Sequence, residues 1–203
     1  MNARVVLLAG ASGSGKTSLC RRLGLPVLTL DEFYRDGDDP RLPHRFGIVD
    51  WDDPACWDAG AALVAVRRLC LEGGVADVPV YDIPTSRRTG TARLDLAGAT
   101  LFLAEGIFAA ELVAACTAAG ILADAVCLRL HPAVTFARRL VRDLAEARKP
   151  PLTLVRRGLG LARAEPELVR RWTAAGCRPL SVAAAERSIR TQADRVGHGP
   201  ATG

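Results

Sequence analysis

Gly10-Ala11-Ser12-Gly13-Ser14-Gly15-Lys16-Thr17 decides the reading of this chain. The stretch matches the pattern G-x-x-x-x-G-K-[S/T]. The apolar run Arg4-Val5-Val6-Leu7-Leu8-Ala9 precedes it and reads as a buried strand. Thr17 to Leu23 follows as a short helix, stopped by Gly24 and Pro26. Strand, glycine-rich loop and helix in that order form the context the pattern requires. Glycines let backbone N–H groups turn inward on a phosphate, and the helix N-terminus adds partial positive charge. Lys16 can reach the β- and γ-phosphates, and the Thr17 hydroxyl can ligate Mg²⁺. The candidate nucleotide contacts are therefore Gly10, Ala11, Ser12, Gly13, Ser14, Gly15, Lys16, Thr17 and Ser18. The four fixed positions alone would arise by chance in roughly one such chain in a hundred. A serine-hydrolase elbow, GxSxG, is absent, because neither Ser12 nor Ser14 has glycine on both sides at the required spacing. The guanine-reading NKxD run is absent too.

Outward from the loop, strand-like and helix-like segments alternate. Val27 to Asp31 reads as a second strand, Val78 to Tyr81 as a short one, Thr100 to Ala104 and Ala125 to Leu130 as buried ones. Between them lie helices over Pro54 to Leu71 and Phe108 to Ala119, and an Arg-rich helix over Pro132 to Arg148. Leu152 to Ala175 reads as helical with interruptions, and Ser181 can cap a last helix over Val182 to Asp194. Residues 32–54 and 82–98 read as polar excursions, and loops of that length tend to carry function. The alternation predicts an α/β fold with a doubly wound parallel sheet and helices on both faces. One domain over residues 1–196 is expected, with 197–203 as a frayed tail.

Composition narrows the class. The chain has 203 residues, 49% hydrophobic and 24% charged, with a formal charge of +5. That excludes long disorder and a disulfide scaffold. Six cysteines, at 20, 56, 70, 116, 127 and 177, contain no CxxC pair, so a zinc ribbon is excluded. Their apolar settings suit reduced thiols and a cytoplasmic location. No apolar run is long enough to span a membrane. Of the 27 basic residues only Lys16 and Lys149 are lysine. The arginines are spread along the chain and only 10 aromatics are present, so a nucleic-acid partner is not expected. The expected partner is a small-molecule substrate, with homo-oligomerisation left open.

Asp31 stands at the end of the second strand, in Leu30-Asp31-Glu32-Phe33-Tyr34. Strand C-termini converge on the ligand in such sheets. A carboxylate there can accept a proton from a substrate hydroxyl, or can simply cap a turn. Asp50-Trp51-Asp52-Asp53-Pro54 follows, and the carboxylate spacing is not that of an EF-hand. Arg138 and Arg142 share a helix face with Arg139 beside them. Such a cluster repels itself unless an anion or the nearby Asp143 and Glu146 offset it. His44, His131 and His198 are not catalytic candidates.

The glycine-rich loop, the Asp-Glu-Phe-Tyr run, the Trp-Asp-Asp-Pro run, Pro79-Val80-Tyr81-Asp82, Ala104-Glu105-Gly106-Ile107 and the Arg138 to Glu146 helix occur in the order seen in uridine kinases. Over residues 4 to about 149 the chain resembles the uridine kinase and phosphoribulokinase branch of P-loop kinases. The resemblance implies a P-loop NTPase fold with a helical lid at about residues 136–151, and ATP and Mg²⁺ as cofactors. It implies Asp31 as general base, and Tyr34, Trp51, Asp52, Tyr81, Ser86 and Arg88 around the acceptor. It implies Thr17 and Glu105 as metal ligands, and Arg138, Arg139 and Arg142 as lid cations. The chain departs from the family at Ser86, where uridine kinases place a histidine that reads the pyrimidine edge. It departs again at Glu146-Ala147-Arg148-Lys149, where Glu-Arg-Gly-Arg is usual. The expected activity is an ATP-dependent kinase acting on a hydroxyl, foremost the 5′-hydroxyl of a nucleoside. A kinase for another alcohol, and a nucleotide-binding regulatory module, are the alternatives.

Overall fold

The structure, a computed structural model, describes residues 2–45, 48–129 and 166–197. A five-stranded parallel sheet runs in the order β2-β7-β1-β8-β9. Its strands are β1 Arg4–Ala9, β2 Val27–Thr29, β7 Leu101–Gly106, β8 Leu122–Leu128 and β9 Arg178–Leu180. β1 is central. Val5, Leu7 and Ala9 face one layer while Val6 and Leu8 face the other, all with no exposed surface. A strand covered on both sides reads as a continuous apolar run, which is why it stood out in the sequence. On the first face lie α2 Ala59–Leu71, α3 Val113–Ala118 and α4, residues 166–174. On the other lie α1 Lys16–Leu23 and α5 Val182–Gly197, whose Ala185 and Ile189 are buried against β1 and β8 residues.

Several boundaries differ from the sequence expectation. The second strand stops at Thr29, and Leu30–Phe33 winds into a 3₁₀ turn. Asp31 therefore sits on that turn and not on the strand. The helix expected from Pro54 begins at Ala59, because Pro54–Cys56 forms its own 3₁₀ turn and Asp58 caps α2 by accepting from the Ala61 N–H at 2.9 Å. Phe108 to Ala119 divides into a 3₁₀ turn, Ala109–Leu112, and α3. The excursion over residues 32–54 contains a minimal ribbon of β3 His44–Arg45 and β4 Ile48–Val49.

The larger correction is the segment from 75 to 95. β5 Val75–Asp82 and β6 Arg87–Asp95 form an antiparallel hairpin outside the main sheet. The sequence showed only a short strand followed by a loop. β6 is exposed on nearly every residue, so it carries no apolar alternation to read. β9 was also invisible in the sequence. It is three residues long with Pro179 in the middle, a residue tolerated at a sheet edge. All six cysteines are buried and unpaired. No described helix is long and apolar enough to cross a membrane.

Candidate active site

The glycine-rich loop joins β1 to α1, so its N–H groups gather at the start of a helix. Gly15 caps α1 with φ 96°, a conformation that suits glycine. Lys16 folds back over the loop. Its Nζ donates to the Gly10 carbonyl at 2.8 Å and reaches the Ala11 carbonyl at 3.5 Å. The same Nζ lies 3.8 Å from Glu105 Oε2 at the end of β7, an ion pair longer than a hydrogen bond. Glu105 is 8% exposed, and its Oε2 has no hydrogen-bond partner. Ser14 is 1% exposed, and its Oγ is likewise unsatisfied. Thr17 is exposed on the first turn of α1. Thr17 and Glu105 line one open cleft with Thr29 and Arg21.

Asp31 comes from the 3₁₀ turn after β2 and lies against the end of β7. A side chain on Gly106 would meet Asp31 Oδ1 at 2.9 Å. Burial pushes the Asp31 carboxyl above its usual range, against the pull of Lys16 and a hydrogen bond from the Ile107 N–H. Burial raises Glu105 as well, with Lys16 opposing and Asp31 adding to the rise. Two carboxylates and one ammonium thus share a poorly solvated corner beside the loop.

The adjoining wall is aromatic. Tyr34 packs against Trp51 at 5.6 Å, Tyr81 at 5.8 Å and Phe108 at 5.9 Å between ring centroids. Both phenols are engaged: Tyr34 donates to the Trp51 carbonyl and Tyr81 to the Arg35 carbonyl, each at 3.1 Å. Burial pushes the Tyr34 hydroxyl far up, with Asp31 and Asp52 adding to the rise. Arg88, on β6, donates to the Tyr34 carbonyl at 3.0 Å and the Phe33 carbonyl at 3.3 Å, and lies 3.6 Å from Asp58. It laces the hairpin to the turn that carries Asp31. Ser86 sits at the hairpin bend with φ 52°, and its carbonyl accepts from the Gly37 N–H at 2.7 Å.

The structure therefore brings Lys16, Asp31 and Glu105 together, and groups Tyr34, Trp51 and Tyr81. Arg138, Arg139 and Arg142 lie outside the described residues. Phe108 and Trp57 belong to the aromatic wall and were missed in the sequence. Trp57 stacks on Phe108 at 5.6 Å and donates to the Leu30 carbonyl at 2.7 Å. Nothing in their local pattern distinguishes them from ordinary core residues. Glu32 was passed over too, and its carboxylate accepts from the Tyr81 N–H.

An unsatisfied buried carboxylate oxygen beside a helix-start hydroxyl suits a divalent cation. Among the described residues no group of three or more His, Cys, Asp or Glu is arranged to hold a metal alone. Magnesium needs no such cage, since it is usually shared with substrate phosphates.

This loop on this sheet defines a P-loop nucleotide-binding fold. No family profile matches the chain. The uridine kinase of Deinococcus deserti is 33% identical over 174 residues, which cover 78% of this chain and 77% of that protein. The uridine kinase of Saccharomyces cerevisiae is 29% identical over 113 residues, 52% of this chain and 22% of that one. A crystal structure from a Silicibacter species, described as a fructose transport system kinase, superposes with a TM-score of 0.62 at 20% identity, over 89% of this chain and 88% of that chain. That likeness supports the fold. The chain belongs to the uridine kinase family and is an ATP-dependent phosphotransferase.

Proposed function

We propose that this kinase moves the γ-phosphoryl of ATP to the 5′-hydroxyl of a nucleoside. The observation that carries the reading is the placement of Asp31: a half-buried carboxylate beside Lys16, at the edge of an aromatic wall. Asp31 accepts the proton of the acceptor hydroxyl as that oxygen attacks the phosphorus. A carboxyl raised by burial is a stronger base than an exposed one, and the charge of Lys16 favours its ionised form. Lys16 exchanges its loop carbonyls for phosphate oxygens, and the loop N–H groups take the rest of the developing charge. Thr17 and Glu105 are the residues that would hold Mg²⁺, which when bound neutralises charge on the β- and γ-phosphates. Tyr81, Trp51 and Tyr34 stack on the acceptor, and Asp52 favours a vicinal diol. Arg138, Arg139 and Arg142 would add lid cations.

Ser86 favours a second reading, a kinase for another polyol. Its backbone is committed to the hairpin bend, and its side chain is shorter than an imidazole. A site rejects an analogue strongly only where its own buried polar groups would be left unpaired. The expected result is a preference for uridine or cytidine well below 10⁴-fold, the approximate range of a fully hydrogen-bonded site. Competition kinetics with uridine, cytidine, adenosine and fructose, under ATP and Mg²⁺, measure it. Turnover of no alcohol, with slow ATP hydrolysis alone, would reject the kinase-acceptor reading.

A further inference from the structure

A general base works only if its oxygens are held within about 0.5 Å of the productive position. Asp31 sits on a one-turn 3₁₀ segment, which offers little rigidity of its own. Its position is set from outside. The carbonyl of Leu30, the preceding residue, accepts from Trp57 Nε1 at 2.7 Å. The Asp31 carboxylate packs on the backbone just before Ile107, where a side chain on Gly106 would meet its Oδ1 at 2.9 Å, and the Ile107 N–H favours its charged form. The carbonyl of the same Ile107 accepts from Trp172 Nε1 at 3.1 Å. Ile107 lies between the end of β7 and the next 3₁₀ turn, so no sheet ladder fixes it. Its carbonyl is instead held by Trp172, and its N–H faces Asp31.

Trp172 is itself well anchored. It is 4% exposed and belongs to the main core. Its helix, α4, closes at Gly176 (φ 105°), where the Cys177 N–H returns to the Trp172 carbonyl at 2.9 Å. A side chain on Gly176 would meet Val113 Cγ1 at 3.1 Å, so the helix end is seated against α3. The indole N–H adds a directed bond to the backbone segment on which the base packs.

We infer that Trp172 is a positioning residue for phosphoryl transfer, holding Asp31 through Ile107. This assigns a role to the region beyond residue 149, where the sequence carried no recognisable motif, and it rests on the reading of Asp31 as base.

The test uses the full chain with ATP, Mg²⁺ and whichever of uridine, cytidine, adenosine or fructose turns over fastest. Trp172→Phe keeps a ring and removes the donor. 3-Benzothienylalanine at position 172 keeps the indole volume and also removes the donor, which covers the case where the Phe variant folds poorly. Loss of one neutral hydrogen bond should lower kcat about five-fold. KM for ATP and acceptor should stay within about two-fold, because nothing that binds either is touched. In an Asp31→Asn background the same replacements should lower kcat no further, since coupled residues are not additive. Unchanged kcat in both variants, or an equal loss with and without the Asp31 carboxylate, would overturn the inference and leave the base reading standing. Wild-type turnover of Asp31→Asn alone would instead overturn the base reading, and this inference with it.

Discussion

Lys16 and Glu105 face each other across the end of the central sheet, Nζ to Oε2 at 3.8 Å, while the same Nζ donates to the Gly10 carbonyl at 2.8 Å. The lysine is thus satisfied by its own loop. The carboxylate is not, since Oε2 has no hydrogen-bond partner. A buried, incompletely paired carboxylate costs stability. Such a cost is typical of a site shaped for a ligand and not for the fold.

Lys16→Ala should reduce phosphoryl transfer by about 10²–10³-fold, the usual effect of removing one well-placed charge-stabilising donor. The loop should survive, because Lys16 contributes only a side-chain bond to its carbonyls. Steady-state kinetics and circular dichroism check both halves, and near-wild-type turnover would contradict the assignment.

Asp31→Asn should cut kcat by about 10²-fold or more with ATP affinity little changed. It should also stabilise the ligand-free enzyme at neutral pH. The Asp31 carboxyl is raised in the folded state by burial. Its contribution to stability is therefore full below the unfolded-state value and is lost as pH rises through the folded value. The asparagine variant escapes that loss. The gain in melting temperature should be present at pH 7 and should shrink as pH falls toward the ordinary aspartate range. A gain that grows on acidification would reverse the sign and refute the argument.

Gly37→Ala should destabilise the protein by about 1–3 kcal/mol, the usual cost of overpacking. Its new Cβ would stand 2.9 Å from the Ser86 Cβ and 3.3 Å from the Ser86 carbonyl oxygen. Ser86 has no room to yield, being held at the bend by the Gly37 N–H. Urea unfolding reads the change, and an unchanged midpoint would show that the hairpin tip moves freely.

Trp57→Phe should cost about 0.5–1.5 kcal/mol, the net worth of one buried hydrogen bond. The bond lost would be the one to the Leu30 carbonyl, immediately before Asp31. Denaturant melts measure the cost. A variant as stable as the wild type would mean that water or another donor replaces the indole.

The phosphate loop, β1, β7, β8 and the alternation of strands with helices were legible because each rests on local signals. These are glycine spacing, an unbroken apolar run, and a helix stop at Gly24 and Pro26. Lys16, Asp31 and Glu105 could be nominated from the residues and the resemblance that they carry. Their meeting in one corner could not, because residues 16, 31 and 105 are joined only by the parallel order β2-β7-β1.

By itself, then, the sequence determined the architecture and the phosphate cradle, both products of short-range pattern. The tertiary structure alone decided what holds the site. β6 has no apolar alternation and exists through pairing with β5 across the bend. Arg88, nominated for the substrate pocket, donates to the backbone of Phe33 and Tyr34. Trp57 and Trp172 look like core residues in the chain and become donors to the carbonyls of Leu30 and Ile107 only once distant segments pack. A hydrogen bond spanning 65 residues leaves no mark in local periodicity, since its partner is fixed by the path of the whole chain.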